Sequence, residues 1–280
     1  MATKIPPLLE PYLGLPPEAS LIVLSGVLGA STNWLVQRYL CSLLGNSTGR
    51  VPAIDGNNGE NGDTCVVLVS FMRDYAFWKE GAGRLGLDLD ALSKRSMFKF
   101  VDGLSGLFSG ASGAITTKAP VAGPPGQHVL RKATLEELQQ VVQSAQQTCA
   151  SSNIVLVLDN PDLLIAAAGN TISGEGLRQT LLHLRESVSS TVITLSADEP
   201  LISAQTTSLE KNHASFALSM AHEAEMLVTL RLLDTGTAKD VSGVLRVTPG
   251  GDATGFVSEQ RELLYFVGSD GGVRVFERGQ

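Results

Sequence analysis

Residues 21–33 read Leu-Ile-Val-Leu-Ser-Gly-Val-Leu-Gly-Ala-Ser-Thr-Asn, and the fold follows from how this stretch is parsed. Leu21-Ile-Val-Leu24 is an unbroken apolar run, which a strand tolerates only when both of its faces are covered. Ser25 and Gly26 end the run. From residue 33 to residue 44 the pattern changes period: Trp34, Leu35, Tyr39, Leu40 and Leu43 recur at helical spacing, and Gly45 is placed to stop the helix. A doubly covered strand, a glycine-containing turn and a helix in succession predict the first unit of a parallel α/β sheet.

The same unit recurs downstream. Strands are expected at 65–69 and 154–158, both short apolar runs, and at 97–101 and 191–195, which are mostly apolar or β-branched. A helix over 74–85 has Asp74 as its N-cap, and Thr134 with Glu137 forms a capping-box pattern ahead of Leu138, Val141, Val142 and Ala145. Further helices are expected at 175–188, with Leu177, Leu181, Leu184 and Val188 on one side, and at 208–221. Beyond that the pattern is strands alone, at 226–233, 243–248, 262–267 and 272–277, with Ser269-Asp-Gly-Gly272 as a hairpin turn. The expectation is an α/β protein with a mostly parallel central sheet flanked by helices and antiparallel strands at the C-terminal end. That is the layout of RecA-like domains, although layout alone does not identify one. Residues 1–280 are read as a single such domain. Two stretches lack packing residues: 46–63, rich in glycine and asparagine, reads as a flexible exposed insertion, and 105–133 as a long flexible loop. The latter lies in an acid-free segment, 103–135, that carries Lys118, Arg131 and Lys132.

Composition removes several function classes. With 43% hydrophobic and 18% charged residues, the chain is not disordered throughout. A net charge of -7 argues against a protein that binds nucleic acid unaided, since phosphates demand a surplus of Lys and Arg. Cys41, Cys65 and Cys149 make no Cys-x-x-Cys pair, and no histidine stands at metal-ligand spacing, which reads as a reducing compartment without structural zinc. No signal peptide is legible in the proline-rich first residues, and no apolar run approaches the roughly 20 residues of a membrane helix. The cytoplasm, and also the nucleus, are the expected locations.

The turn after the first strand is where a phosphate-binding loop sits in nucleoside-triphosphatases. Such a loop uses glycines to let backbone N–H groups reach the phosphates, a lysine for their charge and a hydroxyl for magnesium. Here Ser31, Thr32 and Asn33 stand where Gly, Lys and Ser/Thr would be. Asp159, after the run 154–158, has the place of a magnesium-orienting acid, but Asp159-Asn-Pro-Asp162 also reads as an ordinary turn. Asp74 is the sole acid directly after the second strand, and capping explains it. Tyr75 and Lys79 have the Tyr-x-x-x-Lys spacing of short-chain dehydrogenases, yet they lie too close to the first turn, and no acid ends the second strand to hold a ribose. His128, His183, His213 and His222 are scattered and read as surface or packing residues. No residue is assigned as catalytic, cofactor-binding or metal-ligating.

Several of these stretches together resemble the Elongator complex protein 6 family: 21–44; Val66-Val-Leu-Val-Ser-Phe71 with Tyr75, Trp78, Gly86-Leu87 and Phe100-Val-Asp-Gly-Leu104; and Glu262-Leu-Leu-Tyr-Phe-Val-Gly268 through Val275-Phe-Glu-Arg-Gly279. The resemblance implies a RecA-like subunit without an intact phosphate-binding loop. It further implies assembly with the fourth and fifth Elongator subunits in a hetero-hexameric ring that binds tRNA, is influenced by ATP and supports modification of the wobble uridine, U34, carried out by another subunit. The alternative is a P-loop-like ATPase with a degenerate nucleotide site. No RNA-contacting motif transfers. On charge and placement, Arg73, Lys118, Arg131 and Lys132 are the RNA-facing candidates, and the mixed-charge segment 197–212 is a further one.

Overall fold

The structure is a computed structural model that describes residues 5–45, 64–108, 127–233, 238–251 and 259–277. The expected insertion at 46–63, and Lys118 with most of the expected loop around it, lie outside the described residues. Among the described residues ten strands form one sheet in the order β10-β9-β8-β7-β1-β6-β5-β2-β3-β4. The strand that opened the reading, β1 (Leu21–Gly26), is central, pairing in parallel with β6 (Ser190–Ser196) on one side and β7 (Met226–Arg231) on the other. Next to β6 lie β5 (Ile154–Asp159), β2 (Cys65–Ser70) and β3 (Phe98–Asp102), all parallel. Beyond β7 the sheet turns antiparallel through β8 (Gly243–Pro249), β9 (Arg261–Val267) and β10 (Val273–Phe276). The fold class expected from the sequence is the one observed.

Alternation within each strand divides the core into two layers. Ile22, Leu24, Val66, Leu68, Val155 and Val157 face α1 (Asn33–Gly45), α2 (Tyr75–Arg84) and α3 (Leu89–Lys94). Leu21, Val23, Val67, Val69, Leu156 and Leu158 face the other layer. That second layer is formed by α5 (Leu135–Gln147), α6 (Leu163–Ala167), α7 (Gly174–Arg185) and α8 (Ser208–Glu223). This double cover explains why the strands carry no polar alternates. Truncating one of these residues, as in Leu68→Ala, is of the kind that costs about 2–5 kcal/mol.

Local signals act as expected at the helix starts. Asp74 accepts from the Phe77 N–H, and Thr134 from the Glu137 N–H. The Glu137 carboxylate, however, takes the Arg131 N–H at 2.8 Å and not the Thr134 N–H, so the capping box is half formed. Several short elements escaped the sequence reading, among them α3, α6, α4 (Ser105–Phe108) and β4 (His128–Val129), which pairs with β3; α4 and β4 put ordered structure at both ends of the expected 105–133 loop. The cysteines also need correction. The end of α5 returns beside the start of β2, and there Cys65 and Cys149 pair as a disulfide across 84 residues of sequence, with Cα atoms 6.1 Å apart. Their wide spacing in sequence therefore carries no information about the compartment. No helix among the described residues is long and apolar enough to cross a membrane.

Two glycines offer opposite tests of this packing. A Cβ on Gly174 would collide with the Asn212 backbone carbonyl where α7 meets α8, whereas one on Gly83, in α2, would meet nothing within 4 Å. Gly174→Ala should destabilise by about 1–3 kcal/mol, and Gly83→Ala should stabilise by about 0.5–1 kcal/mol, both read from urea unfolding midpoints.

Candidate functional site

A parallel sheet concentrates its loops, and the polar ends of its strands, at one end. At that end the turn after β1 closes on itself. Gly26 has no room for a side chain, since a Cβ would stand 2.6 Å from the Ala30 carbonyl oxygen, and Gly29 adopts φ +90°. The Ala30 N–H donates to the Val27 carbonyl at 2.8 Å, and the Asn33 N–H to the Ser31 hydroxyl at 3.2 Å. The Leu28 N–H donates to Asp198 Oδ1 at 2.8 Å. Backbone amides that a phosphate-binding loop would aim at its ligand are thus engaged within the chain, one of them by a carboxylate. The Leu28 side chain itself is 86% exposed.

Asp159 is fully buried at the end of β5. Its Oδ2 accepts from Ser70 Oγ at 2.7 Å and its Oδ1 from Thr194 Oγ1 at 3.1 Å, joining the ends of β2, β5 and β6. Asn160, at φ +52°, turns the chain, with its N–H on Thr194 Oγ1 at 2.9 Å. Asp162 then accepts from the Ser196 N–H at 3.2 Å and lies 3.5 Å from His213 Nε2. Desolvation raises both Asp159 and Asp162 to about 6, against their hydroxyl and amide donors, which pull the other way. Burial likewise lowers the pKa of His213. The Asp162–His213 contact was not legible in sequence, because 51 residues separate the two and neither belongs to a recognisable pattern.

A cleft of about 170 Å³ opens between these groups, lined by the 26–33 turn together with Met72, Arg73, Asn160, Ser196 and Asp198. Asp159 is not among its lining residues. Arg73 is exposed, stacks its guanidinium over Phe77 at 5.1 Å and donates its backbone N–H to Ser70 Oγ. Arg131 and Lys132 are exposed just after β4, at the same end of the sheet but on the far side of β3. Three of the four RNA-facing candidates therefore share one end of the molecule. Of the segment 197–212, Ala197 donates to the Gly26 carbonyl at 2.8 Å and Asp198 holds the turn, so its beginning is part of the site. Among the described residues no group of three or more His, Cys, Asp and Glu is placed to hold a metal ion.

The family model described as Elongation complex protein 6 matches residues 61–267. The Elongator complex protein 6 homolog of Schizosaccharomyces pombe is 25% identical over 198 residues, covering 69% of this chain and 72% of that one. Among solved structures, the KaiC-like protein of Pyrococcus horikoshii OT3 superposes with a TM-score of 0.58 at 14% identity, covering 98% of this chain and 97% of that one. A likeness at that identity speaks for the fold alone, a RecA-like sheet.

The buried carboxyls give this end of the sheet a pH signature. A carboxyl with a folded pKa near 6 and an ordinary value of 3.8 favours folding while it is protonated. That contribution is complete below about pH 4 and is lost as pH rises through 6. Asp159→Asn removes the penalty at neutral pH. Relative to the parent, the variant should gain on the order of 2–3 kcal/mol between pH 4 and pH 7.5 in urea unfolding. An equal difference at both pH values would contradict the reading.

Proposed function

The chain belongs to the Elongation complex protein 6 family, and from that membership we propose that it is a non-catalytic, single-domain subunit of Elongator. In this reading it assembles with the fourth and fifth subunits into a hetero-hexameric ring that binds tRNA and supports U34 modification elsewhere in the complex. It works in the cytoplasm and also in the nucleus. The observation that carries the non-catalytic part is the turn after β1. It has no lysine, its Leu28 amide is held by Asp198, and its Ala30 amide is folded back on Val27. A carboxylate on that amide puts negative charge where a phosphate would need positive. Asp159, the one acid in a magnesium-orienting position, spends its oxygens on Ser70 and Thr194.

A role through RNA fits the net charge of -7 only if the basic surface is local and is completed by neighbouring subunits. Arg73, Arg131 and Lys132, exposed at one end of the sheet, are the residues we assign to such a local surface, and Lys118 of the acid-free segment lies outside the described residues. The rival reading, a chain that hydrolyses ATP by itself at a degenerate site, draws on the cleft beside Arg73. It requires turnover that Asp159→Ala abolishes.

Two assays separate the readings. The isolated chain with magnesium and ATP should show no turnover above a blank, whether Asp159 is present or replaced by Ala. Sustained hydrolysis that disappears in Asp159→Ala would establish the rival. Co-purified with the fourth and fifth subunits, the chain should bind labelled tRNA. Replacing Arg73, Arg131 and Lys132 by Ala should weaken that binding and flatten its salt dependence by roughly 0.7–0.9 in log–log slope per lost phosphate contact. An unchanged slope would remove these three residues from the RNA surface.

A further inference from the structure

On the face of the sheet that carries α1 and α2, one side chain stands out against the physical chemistry of burial. Arg38, in the middle of α1, is 1% exposed. Its Nη2 donates to the Gly271 carbonyl at 2.9 Å and its Nη1 to the Trp34 carbonyl at 3.4 Å, while Nε has no partner. Two of its five N–H groups are thereby accounted for, both by neutral carbonyls. Among the described residues no carboxylate pairs with it. Glu80, which lines the smaller of its two cavities, is bound to Arg84 at 2.6 Å. Desolvation lowers the pKa of Arg38. A buried cation without a counter-charge is costly, and arginine keeps its proton under all ordinary conditions.

Arg38 lines two adjoining cavities, one of about 340 Å³ and one of about 150 Å³, which also share Gln37, Phe77 and Gly271. The larger is walled by Trp34 and Tyr265, whose ring centroids are 5.2 Å apart, and by Phe77. Trp34 Nε1 is buried and without a partner. Asn33, Gln37 and Ser242 supply further polar groups to this wall. A volume at the lower end of the usual 300–1,000 Å³ for small-ligand sites, aromatic walls, an orphaned indole N–H and an unpaired guanidinium converge on one ligand chemistry. We propose that this cavity binds a small aromatic anion, a carboxylate or a phosphate monoester, with Arg38 as its counter-charge and Trp34 and Tyr265 against its ring. A guanidinium fork fits either acid bidentately, and the aromatic wall supplies the body's contact area. The site is separate from the cleft beside Arg73, although Ser31 and Asn33 line both.

The test uses the full chain with phenyl phosphate, phenylacetate and inorganic phosphate, and choline chloride as the ionic-strength control. At roughly ten times Kd, an aromatic anion should raise Tm by about 2–4 °C and change tryptophan fluorescence saturably, with inorganic phosphate having a smaller effect. Arg38→Met should abolish the response while its own anion-free Tm stays level or rises, because the unpaired charge is gone. Trp34→Phe should remove the fluorescence change while Trp78 remains, and it decides the matter if Arg38→Met does not fold. No response in the parent chain, a response retained in Arg38→Met, or a fluorescence change that survives Trp34→Phe would overturn the proposal. An equal response to inorganic phosphate would overturn its aromatic part.

Discussion

Pairing of β1 on both edges, with helices over both faces, is the constraint from which the rest of the molecule follows. A strand so enclosed has no contact with water along most of its length, so the middles of β1, β2 and β5 are apolar throughout and polar side chains gather at their C-terminal ends, while β6 also carries buried Ser190 and Thr191 at its start. Ser70, Asp159, Thr194 and Ser196 all stand at such ends, and there they satisfy one another or the turns that follow. The network is thus a consequence of the sheet. A buried polar group left unpaired costs more than a paired one returns, and the ends of three neighbouring strands are where partners are available. Asp159 is the clearest case: its position in the chain suggests magnesium chemistry, and its two bonds tie adjacent strands together.

How much of this could be read in advance depended on range. The apolar runs at 21–24, 65–69 and 154–158, and the β-branched run at 191–195, became strands, because a fully buried strand is a local pattern. Asp74 and Thr134 became caps because an N-cap acts on an amide three residues away. The short elements α3, α4, α6 and β4 were among those missed: a helix of one or two turns, or a two-residue edge strand, holds too few residues to show a period and owes its existence to the neighbour it packs on. The site divided the same way. The missing lysine of the first turn is visible in the sequence, but the carboxylate that holds the turn, Asp198, lies 170 residues on. Nor does any local signal join Cys65 to Cys149, or mark Arg38 as enclosed in a helix whose other buried residues are mostly apolar.

Family membership and the closed turn bear on the same account from different directions. Membership is the ground for proposing a subunit of an assembly, and the turn, with its Leu28 amide on Asp198 and no lysine, is the ground for proposing that it is non-catalytic. Its exposed Leu28, beside Met72 and Arg73, places apolar and cationic surface at the end of the sheet where the loops gather. A surface of that composition is costly to leave against water and well suited to being covered.

The most direct test of an assembly role is the mass of the particle in solution, by light scattering, for the chain alone and after co-expression with the fourth and fifth Elongator subunits. The account predicts a stable particle of six chains, two of each subunit, whose mass is unchanged without added nucleotide. A monodisperse monomer that ignores both partners would contradict it.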